Sequence, residues 1–174
     1  MGTIIAADLT GAIQRISRAV ALDSAELCPH VAKALAPLTA SADWLCPSLQ
    51  RPDPDRYRRE LLYQAPDDSF SIGCFVWGAG QQTRIHDHNS WAVLGVVCGS
   101  LRETSYDRSV TGELRQGSNF KVEAGQHVWC RPESGDIHRV GAAGRSMAIS
   151  IHVYGCAFDQ VCRTYYPDLA EVMA

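Results

Sequence analysis

The sequence predicts a mainly β protein, a closed or sandwiched barrel carrying a helical cap at its N-terminus. Two observations carry this. In the first fifty or so residues, apolar side chains recur at three- and four-residue steps, the spacing of one helix face. From Arg56 onward, short β-rich runs alternate with Gly, Asp, Asn and Pro clusters and no helical period intervenes. About eight strands at such regular spacing suggest a barrel or sandwich. The breaker cluster Pro47 to Asp55, with Arg51-Pro52-Asp53-Pro54, separates the two regions. One domain over residues 1–174 is expected, with the cap in 1–50 and the barrel in 56–166.

In the cap, Leu9, Ile13, Ile16 and Val20 make the apolar face of a first helix, with Thr10 as its N-cap. A second helix, Ser24 to Leu35, carries Leu27, Val31 and Leu35, and Pro29 falls in its first turn, where a missing N–H is harmless. Ser41 to Leu45 is a third, short helical piece. The strand-forming runs are YRRELLY, FSIGCFVW, TRIHDHNSWAVLGVVC, LRETSYD, NFKVEA, HVWC, HRVGA and MAISIHVYG.

Composition narrows the function. The hydrophobic fraction of 46% suffices for a core, and 16 Lys+Arg against 19 Asp+Glu give a formal net charge of −3. That balance argues against a general nucleic-acid binder. No apolar run approaches the ~20 residues of a membrane span, and the first residues lack the basic region of a signal peptide. The expected compartment is the cytoplasm, and the expected state a monomer or small homo-oligomer. Seven cysteines without a CxxC pair make a poor disulfide framework and a poor zinc ribbon. Reduced, they are small core hydrophobes.

Chemistry concentrates in the histidines. His86 and His88 flank Asp87 in one predicted strand, so both point to one face and Asp87 to the other. Two such imidazoles, about 6–7 Å apart at the backbone, can converge on a metal or simply form a wet polar face. His138, in GDIHRV, is the third candidate, on a strand returning across the barrel. In Ser150-Ile151-His152-Val153-Tyr154, alternation puts Ser150, His152 and Tyr154 on one face. A hydroxyl, an imidazole and a phenol in a row can form a hydrogen-bond relay, or a polar face satisfied by water.

The spacing of Gly80, His86, His88 and Gly99, followed by Gly125, Pro132, Gly135 and His138, resembles the two-motif signature of the cupin superfamily. That resemblance implies a double-stranded β-helix, a jelly-roll-like barrel. The usual cupin carboxylate ligand falls on Ala92, which leaves three histidines. The stretch WGAGQQTRIHDHNSWAVLGVVCGSLRETSYD, with GDIHRV and SIHVYG, is similar to the cysteine dioxygenase group of thiol dioxygenases, over about Tyr57 to Arg163. The resemblance implies non-haem Fe(II) held by His86, His88 and His138, the reaction RSH + O2 → RSO2H, and a Ser150–His152–Tyr154 relay behind the substrate. Three neutral ligands keep the full charge on a metal and favour a coordinating thiolate; the choice of iron over zinc rests on the resemblance. In animal members the matching Tyr is cross-linked to a Cys at the position of Ala92, so Tyr154 is expected to be uncross-linked; Cys98 lies six residues further on.

Substrate recognition is expected from arginine, whose planar fork suits a carboxylate. Arg59 matches the carboxylate-binding Arg of cysteine dioxygenases, and its neighbour Arg58 points the other way. Arg163 matches an Arg of the related 3-mercaptopropionate dioxygenases, which GQQT and SIHVYGCAF also resemble. Cysteine or a close relative is the first expectation. The alternatives are 3-mercaptopropionate, or mercaptosuccinate held by Arg59 and Arg163 together. From other classes come a three-histidine cupin using Zn, Mn or Ni and a non-enzymatic barrel that binds metal or a small ligand. Arg84 is expected at a rim, and Trp91 either walls the pocket or, as a barrel tryptophan more often does, belongs to the core. Trp77, Trp129 and Phe75 are read as packing, and His127 and His30 as surface or core. Cys156 and Cys162 have no assigned role.

Overall fold

The computed structural model describes residues 7–22, 25–131 and 136–168. Two helices lead the chain. α1, Ala7–Leu22, buries Leu9, Ala12, Ile16 and Ala19, with Ile13 and Val20 at the margins of that stripe. Thr10 lies inside the first turn rather than before it, because the helix already runs from Ala7. α2, Leu27–Thr39, begins two residues before Pro29 and continues past Leu35, since Leu38 and Thr39 are also buried. Ser41 to Leu45 is turn rather than helix, and a 3-10 turn follows at Pro47–Gln50.

Ten strands follow: β1 Arg58–Gln64, β2 Ser71–Trp77, β3 Ile85–His88, β4 Ala92–Cys98, β5 Ser100–Arg108, β6 Leu114–Glu123, β7 His127–Cys130, β8 Ile137–Ala142, β9 Ala148–Tyr154 and β10 Cys162–Tyr166. The run TRIHDHNSWAVLGVVC is two strands, because the chain turns at Asn89–Ser90 and β3 and β4 enter different sheets. β10 adds a strand that its short polar sequence does not announce. Pro132 and Gly135 of the spacing pattern lie outside the described residues.

The strands form two five-stranded antiparallel sheets, in orders β1-β2-β9-β4-β7 and β10-β3-β8-β5-β6. The middle strands of the first sheet, β2, β9 and β4, are buried on both faces. Its outer side chains, among them Ile72, Cys74, Val76, Val93, Ile149, Ile151 and Val153, share a core with α1 and α2. Its inner side chains, among them Phe75, Trp77, Leu94, Val96 and Tyr154, meet Leu101, Val122 and Val140 of the second sheet. β2 and β9 are therefore buried at every position. In the second sheet, β3 and β8 share a single register pair, His86 with His138.

Candidate metal centre

β3 and β8 bring three histidines to the space between the sheets. His86 and His88 alternate inward with Asp87 between them, and the His86–His138 register places the third imidazole alongside. One nitrogen from each ring lies within 4.8 Å of the other two. All three residues are buried, at 4–7% exposure.

The other nitrogen of each ring is held. His86 Nδ1 donates to the Arg84 carbonyl at 2.9 Å, His88 Nδ1 pairs with Asp136 Oδ2 at 3.2 Å, and His138 Nδ1 pairs with Glu103 Oε1 at 3.1 Å. Partners of this kind fix ring orientation and tautomer in metal sites and raise ligand basicity. His138 Nε2 is buried with no hydrogen-bond partner. An orphaned buried nitrogen facing two others is costly without a ligand, so the donor set fits a divalent metal.

Burial and the neighbouring imidazoles His138 and His88 push His86 down to about 3. Burial also lowers His88, against the pull of Asp136. For His138, burial is outweighed by the hydrogen bond to Glu103 and the charge of Asp136, which raise it. Asp136 is held below the usual carboxylate range: burial opposes this, but His88 and His138 prevail.

The histidines open into a cavity with about 630 Å³ of empty space, its mouth included. Tyr154 enters it from β9, its ring centroid 5.6 Å from that of His88. Behind it the relay is present: Tyr154 Oη lies 2.9 Å from His152 Nδ1, and His152 Nε2 lies 2.8 Å from Ser150 Oγ. Trp77 Nε1 donates to Ser150 Oγ at 2.9 Å, so this tryptophan does more than pack. Burial pushes His152 well down and Tyr154 well up, which keeps both neutral. Ala92 faces Tyr154 in the β4–β9 register and carries no sulfur.

Arg59 lines the same cavity. Its guanidinium carbon lies 5.4 Å from the Phe75 ring centroid and 4.9 Å from that of Phe158. Gly73 makes room for this stack: a Cβ there would come within 2.4 Å of the Phe158 ring. Arg58 turns the other way, to Glu60 and to the Ser48 and Arg51 carbonyls.

Arg163 is not brought to the cavity. Its Nε and Nη2 bind Asp87 Oδ2 at 3.1 and 2.9 Å, on the opposite face of β3 from the histidines. The register shift between Cys162 and Tyr165 sets the phase of β10, and those two residues line the cavity instead. Trp91 takes the core reading: it packs against the helix-side core and beside Gly155. Arg84 sits 4.8 Å from the centroid of the Tyr165 ring, and Trp129 is half exposed at the cavity. His127 bonds Thr39 of α2 at 3.1 Å, and His30 bonds the Glu26 carbonyl.

Sequence reasoning missed Asp136, Glu103, Tyr57, Phe158 and Tyr165. Asp136 carried a signal, since it stands two residues before His138 and an extended chain returns it to the same side. Glu103 carried none, lying 35 residues away in an otherwise ordinary polar strand.

A sequence profile of the family described as Cysteine dioxygenase type I matches residues 6–167. The chain belongs to that family. Among curated members, cysteine dioxygenase type 1 of Danio rerio is 29% identical over 128 residues, covering 71% of this chain and 61% of that protein. Those of Rattus norvegicus and Homo sapiens are each 31% identical over 111 residues, covering 62% of this chain and 54% of theirs. The chain thus matches little more than half the length of these relatives. A Klebsiella pneumoniae protein described as having a double-stranded β-helix domain superposes with a TM-score of 0.50 at 16% identity, covering 64% of this chain and 81% of that one. A cupin superfamily protein from Desulfitobacterium hafniense gives 0.47 at 12% identity, covering 63% and 86%. The fold of this cysteine dioxygenase family member is the double-stranded β-helix. Among the described residues no helix is long and apolar enough to cross a membrane.

Proposed function

We propose that the protein is a non-haem Fe(II) thiol dioxygenase that oxidises a small carboxylated thiol with O2 to its sulfinic acid, RSH + O2 → RSO2H. The observation that carries this reading is the shared cavity. Three converging imidazole nitrogens, one of them orphaned, face the same space as one guanidinium and a relay-backed phenol. His86, His88 and His138 would hold the metal, and family membership favours iron. Bound Fe(II) would supply charge that favours the thiolate and electrons for O2 chemistry.

The remaining steps belong to the chain. Arg59 would grip the substrate carboxylate, its guanidinium carbon held over the Phe75 and Phe158 rings. Tyr154 would hydrogen-bond the bound substrate, with His152 and Ser150 fixing its hydroxyl. The apolar walls Leu94, Val128, Val140 and Val161 exclude water, which strengthens each of these contacts.

Cysteine or a close relative remains the first substrate reading. One observation favours 3-mercaptopropionate. Glu103 is the one carboxylate among the described residues lining the cavity, and its Oε1 is engaged by His138, so no carboxylate there is wholly free for a substrate ammonium. Mercaptosuccinate loses its second arginine, because Arg163 is bound to Asp87. The test is O2 uptake by anaerobically Fe(II)-loaded protein with all three thiols in parallel. Uptake with sulfinate formation is expected for a monocarboxylate thiol. Silence with every thiol would overturn the reading in favour of a binding protein.

A further inference from the structure

The relay behind Tyr154 has one member that works in a single direction. An indole N–H donates and cannot accept. Trp77, fully buried on the inner face of β2, gives its hydrogen to Ser150 Oγ at 2.9 Å. That oxygen has one other partner among the described residues, His152 Nε2 at 2.8 Å. Ser150 is itself fully buried, so its hydroxyl hydrogen has no acceptor except that nitrogen.

Two arrangements of hydrogens are possible along this chain. In one, His152 donates from Nε2 to Ser150. The serine oxygen then receives two donors, and its own hydrogen is stranded in a dry site, which native structures avoid. Tyr154 must then donate to His152 Nδ1 and turn its hydrogen away from the cavity. In the other, Ser150 donates to Nε2 and the imidazole hydrogen sits on Nδ1, where it is given to Tyr154 Oη at 2.9 Å. The hydrogens of Trp77, Ser150 and His152 then all have acceptors, and the Trp77 donor meets the acceptor need of Ser150 Oγ. The one hydrogen without a protein acceptor is that of Tyr154, which points into the cavity. Phe75, stacked on the imidazole at 3.9 Å, holds the ring plane in place for both contacts.

We propose that Trp77 is a positioning residue that sets the direction of the relay. Its indole forces Ser150 to donate, holds His152 as the Nδ1–H tautomer, and leaves the Tyr154 hydroxyl hydrogen free to donate into the cavity. The hydrogen on one imidazole nitrogen is fixed by what the other nitrogen meets, and here the tryptophan decides that two residues away. The role given to Tyr154 rests on the reading above; the tautomer of His152 does not.

Imidazole nitrogen NMR on isotope-labelled, metal-free protein tests this, with the His152 signals assigned by their loss in His152→Gln. The wild-type protein is expected to show a protonated Nδ1 and a bare Nε2. Trp77→Phe removes the donor and lets Ser150 turn, so the His152 signals should move toward the Nε2–H pattern while the other histidines keep theirs. With Fe(II) and a carboxylated thiol, kcat of Trp77→Phe should fall about ten-fold, the rate equivalent of one hydrogen bond, with KM little changed. An Nε2–H tautomer in the wild type overturns the proposal, as does an unaltered Nδ1–H pattern in Trp77→Phe. If Trp77→Phe does not fold, Ser150→Ala serves: losing the donor to Nε2 should release the same tautomer, and a retained Nδ1–H pattern counts against the proposal. A protein that shows the expected tautomer but oxidises no thiol retains this assignment and loses only the proposed activity.

Discussion

Among the described residues Arg59 is the one arginine lining the cavity, and its posture depends on aromatic faces rather than on an acidic partner. With its guanidinium over Phe75 and Phe158 and only a long Nη2 bond to the Phe158 carbonyl at 3.5 Å, most of its donors are left for a ligand. Arg59→Lys keeps the charge but loses both the stack and the fork. Either Arg59→Ala or Arg59→Lys is expected to raise KM for a carboxylated thiol about ten-fold or more, as loss of a charge-assisted hydrogen bond does. For 2-aminoethanethiol, which has no carboxylate, KM should stay within a factor of about two, less than half a kcal/mol. Steady-state O2 uptake with the two thiols measures the difference, and equal effects on both would show that Arg59 does not hold the carboxylate.

At the scale of the element, β3 faces two ways. Its odd member, Asp87, is buried and receives the Arg163 fork, the Thr164 N–H and the Tyr166 hydroxyl, which clasps β10 onto the sheet. Arg163→Ala removes one partner of this nearly buried carboxylate. A stability loss of about 1–3 kcal/mol is expected, with faster amide exchange in β10. KM for carboxylated thiols should change little, and a large rise specific to a dicarboxylate would return Arg163 to the substrate.

The same strand shows how much could be read in advance. HxH in an extended run has one geometric meaning, so the inward pair and the outward Asp87 were legible, as was the Ser-x-His-x-Tyr face of β9. Arg163 was misplaced because phase cannot be counted across the turn from Gly155 to Val161 and the register shift that follows it. The roles of Glu103 and Trp77 depend on pairing across strands, for which local pattern holds no signal. The cap helices were legible in kind but not in extent, because α2 runs on through Pro37, a residue that normally ends a helix, to the buried Leu38 and Thr39.

Across the whole molecule, the site is assembled from residues far apart in the chain. Tyr57 and Tyr165 line the same cavity, and Arg59 leans on a phenylalanine 99 positions later. The cavity therefore forms only when both sheets are in place. The first sheet, held between helices and the second sheet, provides the rigid side with the relay; the second sheet provides the imidazoles.

That second sheet is thinnest where its chemistry lies, since β3 and β8 meet through the single His86–His138 pair. A divalent ion gripped by both strands would take the place of the missing rungs, a rivet through the middle of a sheet. Binding to the folded state alone stabilises by mass action, and here the gain should be concentrated in β3 and β8. Loading with zinc, which holds the site without O2 chemistry, is expected to slow amide exchange at Ile85 to His88 and Ile137 to Arg139 more than in β2 or β9. Uniform slowing across both sheets would mean that the ion fastens nothing in particular. The seam that looks weakest in the bare protein would then be its best-closed joint in the working one.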